Sequence, residues 1–480
     1  MKIKELVRKL KLRYPAGLAD FTVAGVSCNS KTVLEDFIFV AIKGAKNDGS
    51  RFIAEAVRNG ARLVIAEGPV KNIPFVEVRD TRKALAELAG EFYAHPSRKI
   101  KVIGVTGTNG KTTITYLIEA MLIEAKLPSG VIGTVNYRFK DTVIPAKNTT
   151  PGPVEIEALL AQMLQQGLHY CLMEVSSHAL DQGRVRGLDF NSAIFTNLTQ
   201  DHLDYHKNME HYFQSKALLF KSLRPSALAV INGDCVYAKN LINHTRAKVI
   251  TYGIENKAQV FARNIQFDRV KSEFDLVAPK LKTRIVTGLI GRHNVYNALA
   301  GIAWALQEGI DITFIKEALA KFSCAPGRLE QVRLRKDFSV FVDYAHTDDA
   351  LKNVIESLRQ LTQRKLIVVF GCGGERDKLK RPKMGRVVSE MSDYAIITSD
   401  NPRGEDPQEI IRDIQAGIRK QNYCVIPERL KAIKKSLSIA KAGDIVLVAG
   451  KGHENYQIIK DKVIPFDDRE AVKLCLGQEN

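Results

Sequence analysis

A strand-like run, Ile100-Lys101-Val102-Ile103-Gly104-Val105, passes without a spacer into the turn Thr106-Gly107-Thr108-Asn109-Gly110-Lys111-Thr112-Thr113. Apolar positions then follow at helical spacing: Ile114, Leu117, Ile118, Met121, Leu122 and Ala125. Few folds accept this order. A glycine-bent turn between a buried strand and a helix gathers free backbone amides and the positive end of the helix dipole at one point, making an anion site within a βαβ unit. Gly107 and Gly110 let the chain curl around phosphate, and the whole turn, including Thr108, Asn109 and Thr113, is expected to hold ATP. Lys111 is placed to reach the terminal phosphates, and the Thr112 hydroxyl to ligate Mg²⁺. The strict pattern has glycine where this chain has Val105, so the turn is a shortened variant. A glycine-rich connection without nucleotide is the competing reading; the Lys-Thr pair at the right offset weighs against it. A nicotinamide fingerprint fails, because the run Gly371-Cys372-Gly373-Gly374-Glu375-Arg376 puts arginine where G-x-G-x-x-G needs its last glycine.

Strand-like and helix-like segments alternate nearly throughout the 480 residues, which predicts an α/β fold. At about 100 to 200 residues per domain the chain has room for two to four. Strands expected over 37–42 and 61–66, with a short helix over 52–59, describe a small N-terminal α/β domain. The polar stretch His95-Pro96-Ser97-Arg98-Lys99 ends it. Buried strands are expected over 170–175, 190–196 and 227–231, then a turn-rich break at Ala325-Pro326-Gly327-Arg328, then strands over 338–343, 366–370, 394–399 and 445–449. Three domains follow: 1–98, a central P-loop ATPase-like parallel-sheet domain over 99–328, and a C-terminal Rossmann-like domain over 329–480. Ligands of such sheets gather beyond the carboxyl ends of the strands, so motifs just after those runs carry the most weight.

A formal charge of +18 favours anionic partners, although the basic residues are dispersed and the longest cluster, Lys378-Leu379-Lys380-Arg381-Pro382-Lys383, reads equally as a solvated loop. With one Trp and no basic cluster interleaved with aromatics, nucleic acid is not an expected partner. Seven scattered cysteines with no C-x-x-C pair suit a reducing compartment rather than a disulfide framework or thiolate zinc site. No run approaches the roughly 18 apolar residues of a membrane span. The basic start MKIKELVRKLKLRYPAG lacks the apolar core of a secretory signal, so a cytoplasmic protein is expected.

The phosphate turn, taken with further motifs in order along the chain, resembles the Mur ligase family, the ATP-dependent amino-acid-adding enzymes of peptidoglycan synthesis. The resemblance implies acyl activation: a substrate carboxylate takes the γ-phosphoryl group of ATP, and an amine attacks the acyl phosphate. It implies metal-binding roles for Glu174, for His202 in Asn197-Leu198-Thr199-Gln200-Asp201-His202, and for Lys216 carried as a carbamate. By residue type alone Glu174 could cap a strand and Lys216 could be a surface helix lysine. A zinc-protease motif is excluded by Leu203, which stands where H-E-x-x-H requires glutamate. Within Gly291-Arg292-His293-Asn294-Val295-Tyr296-Asn297, Asn294 and Asn297 match the adenine contacts, and Arg328 and Asp343 match residues reaching ATP from the third domain. The family often has proline at Asp348, a local departure. For the UDP-N-acetylmuramoyl dipeptide, the matching positions are Ser30, Asn148, Thr149, Thr150, Ser176, Gln182 and Arg184, with Arg184 the best carboxylate clamp.

The run Asp400-Asn401-Pro402-Arg403 resembles the specificity motif of family members that add meso-diaminopimelate, whose second carboxylate an arginine fork can pair bidentately. Arg376, Gly450 and Glu454 match the remaining contacts, with Glu454 suited to the distal ammonium. A type I turn with a solvent-facing Arg403 would explain the same four residues without a substrate. A lysine-adding member, a folylpolyglutamate synthase-like ligase and a nucleic-acid-stimulated ATPase compete with the diaminopimelate-adding enzyme. The expected protein is a monomer using ATP and Mg²⁺.

Overall fold

A computed structural model describes residues 1–44, 48–256, 258–268 and 271–477. Among these residues, the chain forms three α/β units, each built on its own sheet, plus a small hairpin, Tyr456–Ile459 with Lys462–Pro465. The N-terminal sheet is parallel and in sequence order: Gly25–Ser27, Phe37–Val40, Ala61–Ala66 and Phe75–Glu77. The expected helix over 52–59 is a 3-10 turn, Gly49–Phe52, running into the helix Ile53–Arg58.

At the centre of the second sheet the strand Lys101–Thr106 lies between Phe190–Phe195 and Tyr170–Glu174, both parallel to it. This register sets the ends of all three strands beside the glycine-bent turn. The following helix, Lys111–Glu124, buries Ile114, Leu117, Ile118, Met121 and Leu122 completely, as their spacing predicts. It packs on the helix Arg292–Gln307, whose Trp304 is fully buried and donates its indole N–H to Ser192 Oγ at 3.2 Å. Antiparallel pairing extends the sheet at both edges: Asn136–Phe139 and Thr142–Pro145 on one side, and Ser272–Ala278 and Leu281–Thr287 beyond the parallel strand Val260–Phe267 on the other.

The third sheet runs Glu330–Val332, Ser339–Asp343, Ile445–Ala449, Leu366–Phe370, Tyr394–Ile397, Tyr423–Val425 and is parallel except for its first strand. The loops after Asp343, Phe370, Ile397 and Ala449 therefore open at one carboxyl edge. The basic run at 378–383 is not the solvated loop it resembles. The helix Lys380–Met391 begins inside it, with Lys380 and Arg381 buried, and Arg381 meets Glu405 and Asp413 at 2.9 Å each. Among the described residues no helix is long and apolar enough to cross a membrane.

Candidate active site

Glycine is required at two positions of the phosphate turn. Gly107 and Gly110 have φ of +149° and +89°, and a side-chain carbon would overlap Thr196 Oγ1 at the first and press on Asn297 Oδ1 at the second. The turn is pinned from the neighbouring strand end: Thr196 Oγ1 donates to the Asn109 carbonyl at 2.6 Å, and the Asn109 amide donates to Asn197 Oδ1 at 3.0 Å. Above it opens a cavity of about 530 Å³, walled by both the central and the C-terminal units.

Lys111 donates to the carbonyls of Gly107 and Thr108 at 3.0 and 2.8 Å. Lys216, on the helix Met209–Lys221, reaches the same Gly107 carbonyl at 2.8 Å and lies over the Tyr212 ring at 4.6 Å. It is 1% exposed, so the surface-lysine alternative is wrong. Burial, reinforced by the charge of Lys111, pushes the Lys216 amine well below the usual lysine range. Burial likewise lowers Lys111. His202 packs edge-on against Tyr212, 6.3 Å between ring centres, and its Nε2 is 3.3 Å from Asp201. Loss of surrounding water holds the His202 ring below the ordinary histidine range, against the pull of Asp201.

Glu174 closes its strand with the carboxylate almost fully buried. Oε2 accepts from the hydroxyls of Thr112 and Thr134, both at 2.9 Å, and Oε1 accepts from the Thr134 amide at 2.8 Å. No lysine or arginine pairs with it among the described residues, so a buried carboxylate and a threonine hydroxyl face the cavity as an oxygen donor set. That set suits a hard ion that keeps most of its ligands from water and phosphate, and it fits Mg²⁺. Among the described residues no three His, Cys, Asp or Glu side chains gather as a ready metal cage.

The C-terminal unit contributes Arg328, whose Nη2 donates to Thr112 Oγ1 at 3.1 Å while the guanidinium lies 4.4 Å from the Tyr344 ring centre. Asp343 uses both oxygens on backbone amides, Leu329 at 2.5 Å and Ala345 at 2.7 Å; burial raises its pKa, with Arg328 opposing. At the far end of the cavity Asn297 Nδ2 donates to Asn294 Oδ1 at 2.9 Å, and Asn294 Nδ2 to the Ile290 carbonyl at 2.8 Å.

Of the expected residues, the cavity therefore gathers Thr108 to Thr113, Glu174, His202, Asn294, Asn297, Arg328, Asp343, Thr149 and Ser176. It does not include Gly107, Lys216, Asn148, Thr150, Gln182 or Arg184 in its lining. Arg184 is already engaged, with Nε and Nη2 on Gln182 Oε1 at 3.0 and 2.6 Å and Nη1 on the Thr150 carbonyl at 3.0 Å. Ser30 sits in the N-terminal unit, donating to Glu55 Oε2 at 2.6 Å. A separate constellation stands at the carboxyl edge of the third sheet. Asn401 Nδ2 donates to Glu454 Oε2 at 2.8 Å, and Gly450 lies against Asp400. Pro402 is buried, and Arg403 donates from Nη1 to the Gly374 carbonyl at 2.7 Å, so Arg403 is not a solvent-facing turn residue. Arg376 is exposed beside it.

Several cavity residues escaped the sequence reading. Asp349 Oδ2 accepts from Asn109 Nδ2 at 2.9 Å and Thr199 Oγ1 at 3.2 Å, tying the C-terminal unit to the phosphate turn. Thr134 and Ser357 carry no motif. His293 lay within a quoted run; its Nδ1 is 3.2 Å from Ser357 Oγ across the two units.

Three family descriptions match in order: Mur ligase family, catalytic domain over residues 22–93; Mur ligase middle domain over 105–305; and Mur ligase, glutamate ligase domain over 327–452. The chain is 44% identical over 481 residues to the UDP-N-acetylmuramoyl-L-alanyl-D-glutamate--2,6-diaminopimelate ligase of Clostridium tetani, covering 98% of this chain and 99% of the relative. The Aquifex aeolicus protein of the same name is 46% identical over 457 residues, covering 95% and 94%. A solved structure of a UDP-N-acetylmuramoyl-L-alanyl-D-glutamate--2,6-diaminopimelate ligase superposes with a TM-score of 0.68 at 34% identity, covering 94% of each chain. Phosphate turn, cavity and sequence likeness along nearly the whole length agree, and the chain belongs to the Mur ligase family.

Proposed function

We propose that this chain is the cytoplasmic ATP-dependent ligase that joins meso-diaminopimelate to UDP-N-acetylmuramoyl-L-alanyl-D-glutamate in peptidoglycan precursor synthesis. The observation that carries the reading is the cavity itself, where the phosphate turn, Lys111, Glu174 and His202 of the central unit face Arg328 and Asp343 of the third. The reading divides the chain at residues 98 and 328 and treats it as a monomer that binds no nucleic acid.

The glutamate carboxylate of the nucleotide-sugar attacks the γ-phosphorus of ATP, giving an acyl phosphate and ADP. The amine of diaminopimelate then adds to the acyl carbon, and the tetrahedral species collapses with loss of phosphate and a proton. Two anions must meet in the first step, so neutralising their oxygens is the main task of the protein. Lys111 sits on the turn for this, and Arg328 brings a second cation across the unit boundary. Thr112 and Glu174 would hold Mg²⁺, which supplies further charge neutralisation on the phosphates. His202 and Lys216, the latter as a carbamate, belong to a second such site. A carbamate forms on a neutral amine, and the dry pocket of Lys216 favours that state. Asn294 and Asn297 present amide groups to the base. Ser30, Asn148, Thr149, Thr150, Ser176, Gln182 and Arg184 line the course of the sugar-dipeptide. Arg376, Asp400, Asn401, Pro402, Arg403, Gly450 and Glu454 receive the amino acid.

ADP release with the UDP-sugar dipeptide, comparing meso-diaminopimelate with L-lysine, tests the assignment. Turnover with diaminopimelate is expected. Turnover with lysine alone would remove the role given to Arg403, and turnover with neither would remove the substrate assignment.

A further inference from the structure

We propose that Lys451 is a positioning residue of the amino-acid subsite, holding Asn401 and Glu454 in the one arrangement that presents a free carboxylate oxygen to the incoming amine. The inference rests on the reading of Asn401 and Glu454 as amino-acid contacts.

Lys451 is 0% exposed, an unusual place for an ammonium group. Its Nζ donates to Asn401 Oδ1 at 3.1 Å and to Glu454 Oε2 at 3.4 Å, and stands 5.6 Å from the Tyr456 ring centre. These partners come from two loops at the same sheet edge, one after the strand Tyr394–Ile397 and one after Ile445–Ala449. An apolar side chain of similar length would be buried at lower cost, so the charge has a use other than packing.

That use follows from counting donors. Asn401 has an amide that could face either way, and Lys451 and the Ile458 backbone amide fix it together. Oδ1 accepts from Lys451 and from the Ile458 amide at 2.9 Å, which leaves Nδ2 to donate to Glu454 Oε2 at 2.8 Å. Glu454 Oε2 is thereby taken twice. Oε1 has only a long contact, from the Tyr344 hydroxyl at 3.5 Å, and is the oxygen left for a substrate ammonium. Burial and the nearby Asp400 both push the Glu454 carboxyl upward, and Lys451 opposes them, so the lysine also favours the charged form that an ammonium needs. Lys451 itself need not touch the substrate.

Steady-state kinetics on the full chain separates positioning from general structure. In K451M, whose fold is checked by thermal melting, KM for meso-diaminopimelate should rise about tenfold or more, with kcat and the KM values for ATP and the UDP-sugar dipeptide changed less than about threefold. The double variant K451M/E454Q should be no worse in KM for the amino acid than E454Q alone, since Lys451 acts through Glu454. Equal movement of all three KM values, an unchanged KM for the amino acid, or additive losses in the double variant would overturn the proposal. Should K451M not fold, K451Q carries the same test, because it keeps a donor for Asn401 but no charge for Glu454. The wild type in the same run distinguishes the two levels: turnover with neither amino acid overturns the parent assignment and this one with it, whereas normal wild-type turnover with an unchanged K451M overturns this one alone.

Discussion

Two lysine side chains share one carbonyl at the floor of the cavity. Lys111 and Lys216 both donate to Gly107 O, yet they are set apart by what surrounds them. Lys111 lines the cavity and Lys216 does not. On the proposed reading charge neutralisation falls to Lys111, and replacing it by Met should lower kcat by about 100- to 1,000-fold with little change in melting temperature, measured by single-turnover ADP formation and calorimetry. At the edge proposed for the amino acid, Arg403→Ala should raise KM for meso-diaminopimelate by an order of magnitude or more while leaving KM for ATP unchanged, since the proposed reading gives that side chain to the amino acid and not to the nucleotide. The phosphate turn was legible in sequence because its chemistry is local: glycines, lysine and threonine at fixed offsets between a strand and a helix. Lys216 was not. By residue type it reads as a surface helix lysine, and only the family resemblance marked it, because the carbonyl it meets, that of Gly107, lies over a hundred residues away in the chain.

At the scale of elements, buried charge is the main stress in this fold. The helix Pro153–Gln165 of the central unit packs against the helix Thr81–Phe92 of the N-terminal one, and Glu157 is buried near that contact with Oε2 unpartnered. Burial raises its pKa from 4.5 to about 7, only partly countered by Arg98. Between those values the folded protein keeps a proton that the unfolded chain has released, so stability falls as pH rises through that window, by up to about 3 kcal/mol, and is flat above it. Glu157→Gln should accordingly melt higher than wild type at pH 8 and close to it at pH 5. The C-terminal unit shows the opposite case, a buried charge that meets its counter-charge: Arg429 reaches both oxygens of Asp468 at 2.7 Å with neither side chain exposed. Asp468→Asn alone should cost about 3 to 5 kcal/mol in denaturant unfolding by stranding the guanidinium, and a matched apolar pair should recover most of it. Strands with continuous apolar runs, such as Leu366–Phe370 and Ile445–Ala449, fall where their composition places them. The antiparallel strands between 260 and 287 escaped notice, because their outward residues are charged and satisfied by one another. Arg284 holds Asp275 and Glu273 at 3.0 and 3.1 Å, while Phe274, Leu276 and Ala278 alternate with them on the buried face.

At the scale of the whole molecule, the third unit is latched onto the phosphate turn. Asp349 bonds Asn109 and Thr199, Arg328 bonds Thr112, Lys383 bonds Gln200, and Asp201 lies 3.9 Å from both Lys380 and His346. Most of these partners are polar and line the cavity, so nucleotide binding is expected to be coupled to the latch, as in enzymes that close before chemistry. X-ray scattering should show a smaller radius with a non-hydrolysable ATP analogue than without it. Asp349→Ala should enlarge the nucleotide-free radius, and an unchanged radius in both comparisons would argue against a moving third unit. None of this latch was visible in the motifs apart from Arg328, since a contact between units depends on how two sheets are set side by side and leaves no periodic mark on either.

The groups assigned to the incoming amino acid hang from one edge of the C-terminal sheet, in the loops after Phe370, Ile397 and Ala449, while the phosphate turn belongs to a different sheet. On the proposed reading, the loops that choose the amino acid are thus distinct from the turn that holds the phosphates. On that reading, exchanging those three short loops would change which amino acid is accepted and leave the phosphate turn untouched.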